Sequence, residues 1–559
     1  MKLRNLILLL CPLAMTACDF LDYDETNGLK TKEDVYKYYG DTKAVLTNVY
    51  HYLPQDFGAI GGAMRDCGSD DAEFAKPAGI VQNFTNGSWS ATNPVDDSWT
   101  LYKGIRVANA FIADLQNIDW SRFEYNGNYH KWMENLKIFE PQARILRATY
   151  FFELARRYGD IPMPLEVLDL EGDRTISKTA FSDVINFIVQ ECDTYGKLLP
   201  ESYKKAIYDN EVGRVTKGYA MALKSKALLY AASELHNPEM NTEKWKASVA
   251  AAWDLMQTNL YQLDPAGVAN RPDSKEGVLI LRNNNNSDFE LKNFPIRFTR
   301  NRPTPATGTF PSQNLVDAFE TINGYAVTLT PEGFVSDDPA FDPKNPYANR
   351  DPRFARTILA DGMAFKGDKI DVKNGGKDYL PVLEGGTPTG YYLKKYIQES
   401  TSFELNNESP QKHSWVNYRY AETLLTYAES MVYAFGDPNY KDKEYTKSAL
   451  EALNEVRANA GMPAKTVSGK EEFIKVLRNE WRVEFAFEDH RFWDVRRWKI
   501  GNETQRTLYG VQIEEGAQGK TYRRTLYENR QWRECMNLYP IPQEKLFVNS
   551  NLNPQNAGW

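Results

Sequence analysis

Two apolar stripes at helical spacing, each cut off by a Gly/Pro pair, constrain this chain more than any other feature. Leu424, Tyr427, Ala428, Met431 and Ala434 fall on one face of a helix that Gly436 and Pro438 end. Ala449, Leu453, Val456 and Ala460 fall on one face of a second, ended by Gly461 and Pro463. Small residues on facing stripes allow close approach, so the spacing predicts an antiparallel helix hairpin of the kind that tetratricopeptide arrays stack. The same grammar appears twice earlier. Residues 141–158 carry Ile145, Ala148, Phe152 and Ala155, followed by Gly159, Pro162 and Pro164. A helix is also predicted from an N-cap at Thr216 through Ala220, Leu223, Ala227 and Tyr230, ending before Pro238.

Between these pairs the pattern changes. Residues 265–413 are rich in Gly, Pro, Asn and Asp with short apolar runs such as Val278 to Leu281, which predicts a loop-rich insertion with small strands. The expected organisation of residues 31–559 is a single domain, with a helical scaffold over about 31–264 and 414–559. The fold class is mainly α.

Residues 1–17 read as a secretion leader: Lys2 and Arg4, an apolar run from Leu6 to Leu10, then small residues. That run is too short to span a bilayer. Leu13-Ala14-Met15-Thr16-Ala17-Cys18 reads as a lipobox that makes Cys18 an acylated N-terminus, with Met15 where an aliphatic residue is usual; the alternative is an ordinary leader cleaved near Ala17. Residues 18–30 form an acidic tether with Asp19, Asp22 and Asp24. The net charge of −8, made more acidic by loss of Lys2 and Arg4, argues against a nucleic-acid partner. Outside the leader and lipobox only Cys67, Cys192 and Cys535 remain, which supports neither a disulfide framework nor a zinc site. There is no P-loop, dinucleotide fingerprint or Gly-x-Ser-x-Gly. The charged run Arg482, Glu484, Glu488, Asp489, Arg491, Asp494, Arg496 and Arg497 is expected to pair internally at helical spacing, and His490 to be a hydrogen-bonded core histidine.

Ordered blocks over nearly the whole mature chain resemble the RagB/SusD family. They are Trp99 through Tyr102, Ile105, Ala108 and Asn109; Ala143 to Tyr158 with Gly159-Asp160-Ile161-Pro162; Pro311 to Glu320; and Asp351-Pro352-Arg353-Phe354. In the last third come Arg419-Tyr-Ala421-Glu422, Leu453-Asn454-Glu-Val456-Arg457, Glu480 to Glu488, His490 to Trp498, Tyr539-Pro540-Ile541-Pro542 and Asn553 to Asn556. The resemblance implies a SusD-like fold and a non-catalytic lipoprotein of the outer membrane, facing outward. Such a protein captures an oligosaccharide and passes it to a SusC-like TonB-dependent transporter. It implies no cofactor. Asp337-Asp338 suggest calcium by their oxygens alone, without a loop motif.

Sugar sites need aromatic platforms beside amide, carboxylate and guanidinium groups. Trp89 and Asn93 are the expected first wall, as an exposed platform and its amide, with Arg65, Asp70 and Asp71 beside them. The resemblance implies a second wall from the insertion, where no Trp occurs: Asn284, Asn285, Phe289, Phe294, Arg300, Tyr391 and Tyr392 are the candidates. One Trp among many polar groups suits a flexible glycan such as a fructan. The rival functions are capture of peptides or host glycans, a lipid-anchored glycoside hydrolase using two carboxylates, and a structural scaffold.

Overall fold

A computed structural model describes residues 31–74, 79–96, 98–299, 308–379 and 386–559. The leader, Cys18, the acidic tether and Arg300 lie outside the described residues. The protein is mainly α, with helix hairpins of tetratricopeptide type carrying short two-stranded sheets. Its main helices are α1 (Tyr39–Tyr50), α2 (Leu101–Leu115), α3 (Phe139–Tyr158), α4 (Phe181–Tyr195), α5 (Lys217–Ala232), α6 (Thr242–Gln257), α7 (Tyr420–Phe435), α8 (Ala449–Asn459), α9 (Lys470–Glu484) and α10 (Arg491–Arg497). From α2 to α9 each helix packs on the one before it in sequence. That nearest-neighbour order is what helix-hairpin stacking requires.

Sequence accounts for the ends. Thr216 caps α5 by accepting from Tyr219 N (3.2 Å), and Ser448 caps α8 in a reciprocal box with Glu451. The α5 helix stops at Ala232, short of Pro238, where the Ser233 hydroxyl donates to the Leu229 carbonyl (2.7 Å). Helix α3 ends at Gly159, whose φ of +71° suits glycine and whose N–H donates to the Ala155 carbonyl. A side chain there would also press on Leu538. Eighteen residues of α3 are buried, Arg147, Glu153, Arg156 and Arg157 among them, because α2 and α4 flank it and the C-terminal segment covers it.

Although about 160 residues separate α6 from α7, the two pack side by side. The reason is a ladder at the base of the insertion: β2 (Gly277–Arg282) pairs antiparallel with β4 (Ser414–Arg419), and β4 runs straight into α7. The apolar run at Val278 to Leu281 is thus a strand, as its composition predicts. Two further strands join distant segments: β1 (Ala72–Phe74) pairs with β3 (Thr309–Pro311), Ala72 opposite Pro311 and Phe74 opposite Thr309. A long C-terminal hairpin of β5 (Thr507–Gly516) and β6 (Gly519–Asn529) lies over the insertion. One core runs through α1 to α5 and the insertion, and a second fills the space between α6, α7, α8 and α9.

Candidate functional site

The N-terminal loop and the insertion meet at the β1–β3 ladder. Beyond its strand pairing, Ser312 N donates to the Asp71 carbonyl (2.9 Å), Ser312 Oγ to the Asp70 carbonyl (2.6 Å) and Met64 N to Thr309 Oγ1 (3.4 Å). The N-terminal loop and the insertion are therefore sewn into one surface.

Beneath that surface sits a hub of buried charge. Arg482 Nη2 donates to Asp70 Oδ2 (2.9 Å) and Arg482 Nε to Asp71 Oδ1 (2.7 Å). Arg491 holds Asp70 bidentately (2.8 and 3.0 Å), and Gln505 Nε2 adds a third donor (2.7 Å). Burial works against the charged Asp70 carboxylate, but Arg482 and Arg491 outweigh it and hold its carboxyl below the usual range. Arg65 reaches Asp489 Oδ1 (2.9 Å), Asp96 Oδ2 (2.6 Å) and the Tyr539 hydroxyl (2.8 Å). Arg65, Asp70 and Asp71 thus fix the loop from below and do not face solvent.

The expected exposed platform at Trp89 is corrected by the structure. Its ring is 1% exposed, enclosed at 4.7 to 4.9 Å between ring centroids by Phe84, Tyr539 and Trp559. A Trp in a loop of Asn, Ser and Gly reads as exposed, but aromatic side chains of the C-terminal segment close over it. Asn93 is half-buried and spends its amide inside its own loop, donating to the Ser88 carbonyl (3.0 Å) and accepting from Asn83 (3.3 Å). Replacing Trp89 with alanine is expected to cost about 3–5 kcal/mol of stability. Urea unfolding of the variant measures this, and an unchanged midpoint would contradict the packing role.

Of the insertion candidates, Phe289, Phe294, Tyr391 and Tyr392 are buried and are likewise corrected as solvent-facing groups. Phe289 packs edge-on to Phe57 (5.2 Å), and Phe294 lies against Phe365 and Phe403. The Tyr391 hydroxyl donates to Gln313 Oε1 (2.5 Å), and that of Tyr392 to the Asp378 carbonyl (3.0 Å). Burial demands such partners, and both rings fill the insertion's own core. Asn284 and Asn285 are exposed.

Solvent-facing chemistry at the seam comes instead from residues that the sequence reading passed over. On β6, Tyr527 is 42% exposed, and Leu526 beside it is also exposed. The Tyr527 hydroxyl is pushed up to about 12 by partial burial and by the Glu73 and Glu528 carboxylates. Ile80 is exposed at the start of the next loop. Asn83, Asn86 and Ser88 form a surface cluster of amides and hydroxyl, with Ser88 Oγ placed to donate to either Asn83 Oδ1 (2.9 Å) or Asn86 Oδ1 (2.6 Å). Gln531 N donates to the Thr85 carbonyl (2.7 Å), which joins this cluster to the end of β6. The only signal for Tyr527 in the sequence is the adjacent pair Leu526-Tyr527, since neighbouring residues of a strand point to opposite sides.

The charged run of residues 482–497 is paired mostly with groups outside it, while Arg496 has no carboxylate partner among the described residues and donates to the Phe492 carbonyl (2.8 Å). Glu484 and Glu488 accept from Arg419 at 2.6 and 2.7 Å, Glu484 also accepts from Arg353 (2.7 Å), and Asp489 accepts from Arg65 and Arg156. Only Arg497 with Asp494 (2.7 Å) pairs at helical spacing. Burial opposes ionisation of Glu484, but Arg419 and Arg353 prevail and bring its carboxyl down to about 2. His490 faces Glu422 (3.5 Å) and stacks over Phe485. Cys67, Cys192 and Cys535 are free thiols. Asp338 caps a turn by accepting from Ala340 N (2.9 Å), and among the described residues no group of three or more His, Cys, Asp or Glu is arranged to hold a metal. Among them, too, no helix is long and apolar enough to cross a membrane.

Known proteins agree with this architecture. The chain is 23% identical over its full length to the full length of SusD-like protein P2 of Formosa agariphila. A SusD-like protein of Bacteroides fragilis superposes with a TM-score of 0.77 at 25% identity, covering 95% of this chain and 99% of that one. A SusD-like carbohydrate binding protein of the same organism gives 0.72 at 23% identity, over 93% of this chain and 100% of its own. Residues 276–559, half of the sequence, match the SusD family directly, and the chain belongs to that family.

Proposed function

We propose that this protein binds a glycan at the β1–β3 seam and delivers it to a SusC-like TonB-dependent transporter, held at the outer face of the outer membrane by an acylated Cys18. The observation that carries the binding site is the ladder itself, which joins the N-terminal loop to the insertion; an exposed tyrosine on β6 and a cluster of surface amides offer the chemistry that a sugar needs. Tyr527 supplies the ring face for a sugar, while Asn83, Asn86 and Ser88 supply directed donors and acceptors. The carbohydrate-binding relative from Bacteroides fragilis supports the ligand class. A single tyrosine platform suits a flexible chain such as a fructan better than a stacked flat glucan.

No covalent chemistry is assigned to the protein. The carboxylates of the C-terminal charged run are tied up by guanidinium groups, which supports binding over hydrolysis by a pair of free acids. The domain organisation follows the same reading: the helical scaffold over about 31–264 and 414–559 carries the insertion of 265–413 as the presenting element.

Tyr527→Ala is expected to weaken binding at least tenfold, about 1.4 kcal/mol, while leaving the unfolding midpoint unchanged. Calorimetric titration with a panel of fructans, glucans and host glycans measures it. Equal affinity in the variant removes Tyr527 from the site, and binding of peptides alone would favour the peptide-capture reading.

A further inference from the structure

Where glycine follows asparagine, the next backbone nitrogen can attack the side-chain amide, because glycine carries no Cβ to shield it. The chain has such a pair at Asn27, Asn86, Asn126, Asn323 and Asn374, and all but the first lie among the described residues. Their surroundings set one apart.

Asn323 and Asn374 are held back. Gly324 N already donates to the Thr321 carbonyl (2.9 Å), and the Asn323 amide donates to Asp338 Oδ2 (3.0 Å). The Asn374 amide donates to both oxygens of Glu514 (3.2 Å each), whose negative charge opposes the oxyanion that attack would create. Asn86 and Asn126 are alike up to a point. Each is exposed, and the N–H of the glycine after it has no hydrogen-bond partner among the described residues. Each also accepts at Oδ1 from the N–H two residues on, at 2.9 Å in both cases. Ser88 breaks the tie: its hydroxyl lies 2.6 Å from Asn86 Oδ1, whereas residue 128 is an asparagine. Asn93 Nδ2 donates to that same Ser88 oxygen (3.4 Å), so the hydroxyl proton is left for Asn86 or for Asn83 Oδ1 (2.9 Å). Two donors directed at the Asn86 amide oxygen stabilise the charge that develops there, as an oxyanion hole does. The glycine is also required by the fold, since Gly87 has a φ of +86° and a Cβ on it would lie 3.3 Å from Gln531 Cγ.

We propose that Asn86-Gly87 is a self-modification site, at which the folded loop converts Asn86 to aspartate and isoaspartate. Hydroxide takes the Gly87 amide proton and the nitrogen bonds to Asn86 Cγ. The Cγ–Nδ2 bond then breaks, and ammonia leaves with a proton from water, which restores the hydroxide. A second water opens the five-membered imide at either carbonyl. The product exchanges the Nδ2 donor for a carboxylate that only accepts, inside the cluster with Asn83 and Ser88. This consequence rests on the function proposed above: glycan affinity falls as the loop ages.

The test follows the folded full-length protein by peptide mass spectrometry during incubation at pH 8 and 37 °C. Asn86 is expected to convert at least threefold faster than Asn126, Asn323 and Asn374, and to lose that advantage in urea. Ser88→Ala, which trims an exposed side chain, is expected to bring Asn86 down to the rate of Asn126. Conversion of Asn86 no faster than that of Asn126 in the folded protein overturns the proposal, and so does an unchanged rate in Ser88→Ala. Calorimetric titration of Asn86→Asp with fructans, glucans and host glycans reads the consequence separately, with an expected loss of at least threefold. Equal affinity overturns that consequence and takes Asn86 out of the binding site, while the conversion itself is read by mass and needs no glycan.

Discussion

Asp70→Ala is expected to cost about 3–5 kcal/mol, because it leaves guanidinium groups buried without their counter-charge. Arg491 loses both of its bonds to that carboxylate, Arg482 loses one and Gln505 keeps only its bond to the Thr504 hydroxyl. The damage extends past local packing, since Asp70 is where the N-terminal loop is fastened to α10 from below. Its own carbonyl, accepting from Ser312, is also a stitch of the β1–β3 seam. Loss of the hub should therefore loosen the seam, and glycan affinity is expected to fall together with stability. The pH dependence gives a second readout. Asp70 has a folded-state carboxyl below its unfolded value, so its contribution is fully present above the ordinary aspartate range and is lost as the pH falls below it. Glu484, brought down to about 2, adds to the same acid-side loss, over the window from about 4.5 to 2. Wild-type stability should thus drop below pH 4, and the alanine variant should show a shallower drop. Urea midpoints at pH 3 and pH 7 measure both effects; a cost under 1 kcal/mol at pH 7 would show that the hub does not hold the loop.

These charged groups also explain what could and could not be read from the sequence. The helical frame was legible because its apolar stripes have helical spacing and its ends carry Thr216, Ser448, Gly159 and Gly436, each doing locally what its chemistry predicts. Family membership was legible from the order of the blocks. Arg482 and Arg491 were legible as charged but not as partners of Asp70, which lies more than 400 residues away, a distance that no periodicity reports. Trp89 failed for the opposite reason. Its neighbours Asn86, Gly87, Ser88 and Ser90 describe a wet loop, yet Phe84 from its own segment and the returning Tyr539 and Trp559 cover the ring. Tyr391 and Tyr392 sit in an insertion whose composition suggests surface, yet that insertion is large enough to hold an apolar interior of its own. Surfaces made where distant segments meet, as where Gln531 N donates to the Thr85 carbonyl, leave little local trace in the sequence.

Asp56→Asn is expected to make the protein more stable than wild type at alkaline pH, with a gap that widens as the pH rises. Asp56 is buried; Oδ2 accepts from Arg65 N (2.9 Å), while Oδ1 has no hydrogen-bond donor among the described residues. Burial and the neighbouring Asp489 carboxylate push its carboxyl up to about 8, against the attraction of Arg65. Asp66 lies close by with neither carboxylate oxygen hydrogen-bonded among the described residues, and burial together with Asp71 and Asp56 raises it further. A small cavity beside Asp56 is lined also by Glu153, Arg156, Lys226 and Glu488, so the site is crowded with charge of both signs. The sign is fixed by linkage: an acid whose folded value is raised binds its proton more tightly in the native state. Its stabilising effect is complete below the unfolded value near 3.8 and is lost as the pH climbs towards about 8. Between pH 5 and pH 8 the wild type should lose up to about 4 kcal/mol through this one group. Asparagine keeps an acceptor for Arg65 N and cannot ionise, so the variant's profile should be flatter over that window. Thermal unfolding of both proteins at pH 5, 7 and 9 decides it. Parallel profiles would mean that Asp56 is already ionised in the folded protein, and the surrounding arginines, rather than a retained proton, would then be what reconciles it to burial.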